Sequence, residues 1–380
     1  MTEAVKLNSK AVKGIPRDSN IELYRIISML LIVAHHYVVN SGLASVLYAN
    51  PWNIKSVFLL TLGAFGKTGI NCFLLITGYF MCKSQISAKK FVKLLFEVQL
   101  YKIVINSIFW ISGYETFTLK GFVKVILPFT NISHNFTGTF LVFFLFIPFL
   151  NVLVYNLTEK QHVLLLLISG FTYVFFGTVP MLGVTMNYVS WYMVLFLIAS
   201  YIRLYPKEIF ANKKLWAILT VASVLLGVLS VVAGAFICDR TGRNLIYRFV
   251  VDSNTFLAVA MGVSSFMLFK NIKIAPNRFI NSVAASCFGV LLIHSNSDTM
   301  RYWLWVDVSK NVAMYKSPLV YLHAILTPVI IFTVCVTIDM LRIRFIEKPF
   351  FKLWDKNWDK VLTKYKVIEA KILKKFKISE

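Results

Sequence analysis

Ten mainly apolar runs recur along the chain, at roughly residues 20–42, 57–82, 94–112, 138–156, 162–180, 187–205, 215–237, 254–269, 279–297 and 319–341. Crossing a hydrocarbon core of ~30 Å takes ~20 such residues in a helix. A spanning backbone must satisfy its own polar groups, which an apolar run does by coiling. The expected fold class is therefore all-α, a polytopic membrane protein with about ten transmembrane helices. Only 15% of the 380 residues are charged, against about 25% in soluble domains. The spans use the length and leave no room for a second globular domain.

Charge placement predicts the orientation. With the N-terminus inside, 28 of the 40 Lys and Arg residues fall in inner segments and 10 in outer ones. Arg25 and Lys102 lie within spans. Cytoplasmic loops carry the basic excess, so both termini are expected in the cytoplasm and the chain in the cell (plasma) membrane. The net charge of +23 is then a topology signal and implies no nucleic acid. The start, MTEAVKLNSKAVKGIPRDSN, has no apolar core or small-residue cleavage site, so the first apolar run is expected to stay as a helix. The chain divides into a cytoplasmic basic arm (1–19), a ten-helix domain (20–345) and a cytoplasmic basic tail (346–380). In the tail, Trp354, Trp358, Leu362, Tyr365, Ile372 and Phe376 recur at helical spacing among lysines, the pattern of an amphipathic helix on a membrane surface.

The first run, NIELYRIISMLLIVAHHYVVNSG, carries Glu22, Arg25, His35 and His36. At 100° per residue, Arg25 and His36 differ by only ~20° around the axis and lie about 16 Å apart along it. Glu22 is within i,i+3 reach of Arg25. His35 points ~80° away from the Arg25 line. Glu22, Arg25 and His36 thus form one polar stripe. Ionisable groups at bilayer depth cost about 3 kcal/mol each and usually face a protein interior or a wet cavity. The plain alternative is a satisfied structural histidine with an arginine snorkelling at the helix end.

Other features are less specific. The second run holds Gly63, Gly66, Gly69 and Gly78, which permit close helix approach, together with Lys67, Asn71 and Thr77. KSQISAKKFVK follows, and its Lys89, Lys90 and Lys93 suit a phosphate-rich ligand or simply mark the inner face. The outer segment 113–137 contains the apolar patch GFVKVILPF, expected along the surface, with His134 and Asn135 near its end. The segment 238–253 carries Asp239, Arg240, Arg243, Arg248 and Asp252, a set able to meet a polar substrate or to pair with itself. The ninth run ends at His294, with Asn296, Asp298 and Arg301 beyond it. His294 and Asp298 have one residue too few between them for the His-four-Asp pattern of many soluble acyltransferases. Asp339 and Arg342 are spaced for an i,i+3 pair. The five cysteines form neither a metal-spaced pair nor a disulfide framework, so no metal is expected.

Glu22, Arg25 and His36 resemble the mark of the bacterial membrane-bound acyltransferase family 3, which includes polysaccharide O-acetyltransferases: an Arg and a His ten residues apart, with an acid three before the Arg. NCFLLITGYFMCK resembles the family's Phe-rich segment ending in Ser-Gly-Phe/Tyr, with Thr77 in place of Ser. Lys90 and Lys93 stand where the family often has arginines. FGVLLIH, residues 288–294, is similar to its late run ending in His. The resemblance covers about residues 18–350.

The resemblance implies O-acyl transfer, usually of acetyl, from cytoplasmic acetyl-CoA to a hydroxyl of a cell-surface glycan or lipid-linked sugar. His36 would be the base or an acyl relay, since neutral imidazole accepts a proton near pH 7. Arg25, oriented by Glu22, would bind donor or hold the site. Lys90 and Lys93 would attract the nucleotide, whose phosphates need cations. His294, Asn296 and Asp298 are candidates for substrate binding. A glycan-lipid flippase or exporter is the competing class, but no convincing internal repeat of the kind transporters show is found.

Overall fold

The computed structural model describes residues 18–129, 136–179, 181–184, 187–358, 363 and 368. Residues 1–17 of the basic arm, His134, Asn135 and most of the tail beyond 358 lie outside the described residues. The described residues form helices and contain no strand. Among the described residues, seven helices are long and apolar enough to cross a membrane: Ser19–Val39, Ile54–Met81, Ala88–Ile111, Phe136–Asn156, Glu159–Thr178, Lys213–Thr241 and Val320–Trp358. An eighth candidate is a pair, Arg278–His294 and Asp298–Val308, bent by 96° at its break.

The expectation of ten spans therefore meets seven or eight full-length helices, plus two shorter apolar ones, Tyr188–Leu204 and Phe256–Asn271. The first of these stops where the sequence dictates. Tyr205 precedes Pro206, which disfavours helical geometry, and Tyr205 has left the helix at φ −120° and ψ 73°.

The first two spans form the centre of the bundle. In their most apolar windows 56% and 72% of residues are buried, against 11% for Glu159–Thr178 and 33% for Lys213–Thr241. Small residues bring these two helices together. A Cβ on Gly69 would sit 2.8 Å from both Ile32 Cγ1 and the Ser28 carbonyl oxygen. The second span breaks after Gly63 and resumes at Gly66. A Cβ on Gly66 would lie 2.2 Å from the His35 ring. The first helix also packs on Phe256–Asn271, Arg278–Ala285, Cys287–His294 and Val320–Arg342. Hence the helix with the polar stripe is surrounded by protein along much of its length.

A second buried polar cluster ties helices together at the other end of the bundle. Arg342 meets Asp339 at 2.7 Å, Glu347 at 2.7 Å and Glu97 at 3.1 Å. Tyr101 donates to Asp339 at 2.8 Å. The i,i+3 pair expected from spacing is present, and a π-helical turn at Ile343–Glu347 accompanies the additional contact of Glu347 with Arg342. Glu97, inside the Ala88–Ile111 helix, completes the set.

Candidate active site

His36 lies near the C-terminal end of the first helix, and its Nδ1 is 2.9 Å from Nε2 of His294. His294 is the last residue of the Cys287–His294 helix and is fully buried. Its own Nδ1 lies 2.6 Å from the Val290 carbonyl oxygen. A carbonyl only accepts, so His294 Nδ1 carries the hydrogen. In a neutral pair, His294 Nε2 is then the acceptor and His36 Nδ1 the donor. His36 is left with its lone pair on Nε2, the form a proton acceptor needs. Thus Val290, His294 and His36 set one tautomer in sequence. His294 stacks edge-on to Trp305, with ring centroids 6.4 Å apart.

His36 lines a cavity of about 700 Å³, within the usual size range of small-molecule sites. Its walls come from the same end of several helices and from the segments joining them. Lys67 stands at the restart of the second span, 2.5 Å from the Tyr188 hydroxyl and 3.7 Å from Asp252. Asn106 donates to Asn296 Oδ1 at 3.0 Å. Thr299 donates to Glu115 at 2.8 Å. Asp298 pairs with Arg301 at the rim, with its side chain 95% exposed. The short helix Leu119–Ile126 roofs this space: Gly121, Lys124 and Val125 line the cavity, while Phe122, Val123 and Ile126 are exposed. The apolar patch expected along the surface is thus also a wall of the site.

The break in the ninth span explains how His294 and Asn296 come to this place. The helix ends at His294, residues 295–297 turn, and Ser297 caps the next helix by accepting from the Met300 amide at 3.1 Å. Asn296 and Asp298 line the cavity, whereas His294 contacts His36 from behind it.

His35 also lines the cavity but is held differently: its Nδ1 lies 2.5 Å from the Gly63 carbonyl oxygen. The two histidines thus have different partners but face one cavity. Arg25 and Glu22 do not line the cavity; along the helix they lie about three and about four turns from His36, toward the opposite end. Arg25 Nε is 3.6 Å from Glu22 Oε2, and neither of these buried atoms has a hydrogen-bond partner among the described residues. The Arg25 guanidinium lies over the Phe73 ring, 5.9 Å from its centroid.

The basic loop after the second span divides into two. Lys93 meets Glu347 at 2.6 Å and Lys89 meets Asp355 at 2.5 Å. These four side chains, with Lys348 and Lys352, line a shallow cleft of about 320 Å³. Lys90 turns away from it, donating to Ser84 Oγ at 2.7 Å and to the Gln85 carbonyl at 2.9 Å. Of the charges in segment 238–253, Asp252 meets Lys67, Asp239 meets Arg240 and Arg248 donates to the Thr178 carbonyl. No group of three or more His, Cys, Asp or Glu able to hold a metal occurs among the described residues.

Sequence reasoning found the histidines but missed most of the walls. Lys102 carried the available signal, a charge in the middle of an apolar run. Asn106, Glu115 and Tyr188 gave none, because their meeting depends on how distant helices pack.

A family model described as an acyltransferase domain matches residues 18–340. No curated protein and no solved structure is significantly similar to the chain. The matched region contains the polar stripe, the His36–His294 pair and the surrounding helices, and this multi-pass membrane protein belongs to the acyltransferase family 3.

Proposed function

We propose that the protein is an O-acyltransferase that moves an acyl group, in the first instance acetyl, from cytoplasmic acetyl-CoA to a hydroxyl of a cell-surface or lipid-linked glycan. The observation that carries this reading is the hydrogen-bonded chain from Val290 through His294 to His36 at the wall of a polar cavity. A sugar hydroxyl is a poor nucleophile until its proton is taken. His36 Nε2 accepts that proton, and His294 stabilises the resulting imidazolium through the bond to His36 Nδ1. The hydroxyl oxygen attacks the thioester carbonyl, the oxyanion forms, and its collapse breaks the carbon–sulfur bond. The proton on His36 balances the departing thiolate. Lys67, a cation lining the same cavity as His36, is assigned to oxyanion stabilisation, a role in which one donor is typically worth 10²–10³-fold.

Arg25 is assigned to the donor. Its guanidinium has an unsatisfied, buried Nε and one loose carboxylate neighbour, so it retains donors for an incoming anionic or carbonyl group. Glu22 orients it. The cleft at Lys89, Lys93, Lys348 and Lys352 is assigned to the nucleotide phosphates; Lys90 faces away from it. Glu347 and Asp355 occupy those ammonium groups until phosphate replaces them. Asn296 and Asp298 are assigned to the acceptor.

The experiment is turnover by purified protein in lipid. Release of free CoA from acetyl-CoA, with acetyl appearing on an added oligosaccharide, is the expected result. An exporter would bind the oligosaccharide and release no CoA, which would overturn the reading.

A further inference from the structure

A groove of about 580 Å³ lies between the Glu159–Thr178 helix and the Phe256–Asn271 helix, apart from the cavity of His36. One wall is the π-helical stretch Gly170–Phe175, whose Phe171 and Phe175 are exposed. Such turns are uncommon and recur at functional sites. The facing wall is one face of the other helix, with Phe256, Val259 and Val263 at helical spacing. Ala260, small and on the same face, gives the groove width. Thr178 is the one polar side chain lining it, and its hydroxyl is satisfied: it donates to the Val174 carbonyl at 2.7 Å and accepts from the Phe256 amide at 2.8 Å. From Gly170 to Thr178 the groove runs about 12 Å, close to half the depth of a hydrocarbon core of ~30 Å.

Arg248 stands at the Thr178 end. Its Nη2 donates to the Thr178 carbonyl at 3.2 Å. Among the described residues that is its one hydrogen bond, its Nε has no partner, and no carboxylate pairs with it. A carbonyl orients a guanidinium and leaves its charge uncompensated. Arg248 is partly exposed, and Leu245, Phe249 and Val251 beside it in sequence are exposed apolar residues. Four residues further on, Asp252 meets Lys67, which lines the cavity of His36. Four more lead to Phe256 in the groove. Residues 248–256 therefore border both spaces, and a group held at Arg248 lies beside each.

We propose that the groove and Arg248 bind a phosphate-linked glycan lipid as the acceptor. Its hydrocarbon chain lies in the groove, its phosphate pairs with Arg248, and its sugars pass over residues 248–256 into the cavity toward His36. The proposal rests on the acyl-transfer reading and names the acceptor class of that same site. The two features select this occupant together: a neutral chain has no use for the arginine, and a free oligosaccharide has none for the groove. A guanidinium is suited to phosphate oxygens, which it meets with paired N–H donors. An ordinary phospholipid shares the chain and the phosphate but brings no sugar to the cavity, so the test sets the two apart.

The test gives one oligosaccharide in three forms, with acetyl-CoA, to the purified full-length protein in zwitterionic vesicles: free, joined to a long alkyl chain, and joined to that chain through a phosphate. The phosphate-linked form should exceed the neutral alkyl form in kcat/KM by about tenfold or more, the worth of a hydrogen bond to a charged group. Arg248→Gln should remove that advantage and Arg248→Lys should keep part of it. Ala260→Trp, which fills the groove, should lower kcat/KM for both chain-linked forms by about tenfold, the worth of roughly two buried methylenes. It should leave use of the free oligosaccharide unchanged, which also shows that the variant folds. Equal use of the two chain-linked forms, or variants that affect all three forms alike, overturns the proposal while leaving acyl transfer standing. Binding is followed separately with a photoactivatable version of the phosphate-linked form. It should label residues 170–179 or 256–263 in the wild type and not in Ala260→Trp. Absence of that label overturns the proposal, and so does its displacement by phosphatidylglycerol as readily as by unlabelled glycan lipid, the result for a bulk-lipid site. If no form is acetylated and no CoA is released, the acyl-transfer reading fails, and the label alone decides whether the groove holds a glycan lipid.

Discussion

One nitrogen carries the proposed chemistry. The Val290 carbonyl fixes the hydrogen on His294 Nδ1, which fixes the hydrogen on His36 Nδ1, which leaves Nε2 basic. A substitution at His294 should therefore act through His36. His294→Ala removes the acceptor from His36 Nδ1 and should reduce kcat by about 10–100-fold, the worth of one hydrogen bond to a charged group. It should change the KM for acetyl-CoA little, and the pH–rate profile should shift because the imidazolium loses its partner. A drop in expression with an unchanged pH profile in the remaining protein would make His294 a packing residue only. Arg25→Lys keeps the charge and loses the planar fork, so it should impair donor use if Arg25 makes oriented contacts. Helical spacing made His36 and not His35 the member of the stripe, yet both line the cavity, His36 bonded to His294 and His35 to the Gly63 carbonyl. The His36–His294 bond was not legible, because the two residues are 258 positions apart and only packing brings them together.

Among elements, the Val320–Trp358 helix and the Ala88–Ile111 helix are joined by buried charge. Removing one partner of a buried ion cluster leaves uncompensated charge and costs about 3–5 kcal/mol. Arg342→Ala abandons Asp339, Glu97 and Glu347 together and should lower the thermal midpoint in lipid or detergent clearly, well away from the catalytic cavity. Replacing Arg342 with no loss of stability would contradict the cluster's structural role. Asp339 and Arg342 were readable as a pair from their spacing. Glu97 and Glu347 were not, since one sits mid-span on another helix and the other is presented by a π-helical turn that no residue spacing announces. The basic loop shows the same limit. Lys89 and Lys93, one turn apart, share the cleft, while Lys90 lies between them in sequence and faces elsewhere. Neutralising Lys89 and Lys93 together should weaken acetyl-CoA binding and make the remainder less salt-sensitive. Unchanged affinity would leave these lysines as topology signals and clamps for Glu347 and Asp355.

At the scale of the molecule, hydropathy made the membrane class and the placement of the helices legible, because apolar runs must coil in lipid. It overstated the uniformity of the spans, since a break after Gly63 and a 96° bend beyond His294 are set by close packing and by the turn at 295–297. The cavity and the basic cleft lie at opposite ends of the bundle, so the orientation decides which face receives the acceptor. Reporter fusions at Ser45 and Leu245 should read outside, and those at Ala88 and Lys356 inside. A swapped pair would contradict the proposed orientation. The most direct test of the whole account is acetyl transfer from acetyl-CoA to an oligosaccharide by wild-type, His36→Ala and His35→Ala proteins, reconstituted at equal levels in lipid. The account predicts transfer by the wild type, a loss of about 10²–10⁴-fold for His36→Ala, as for removal of a general base, and a much smaller loss for His35→Ala. Full activity of His36→Ala, or a dead His35→Ala beside an active His36→Ala, would contradict it.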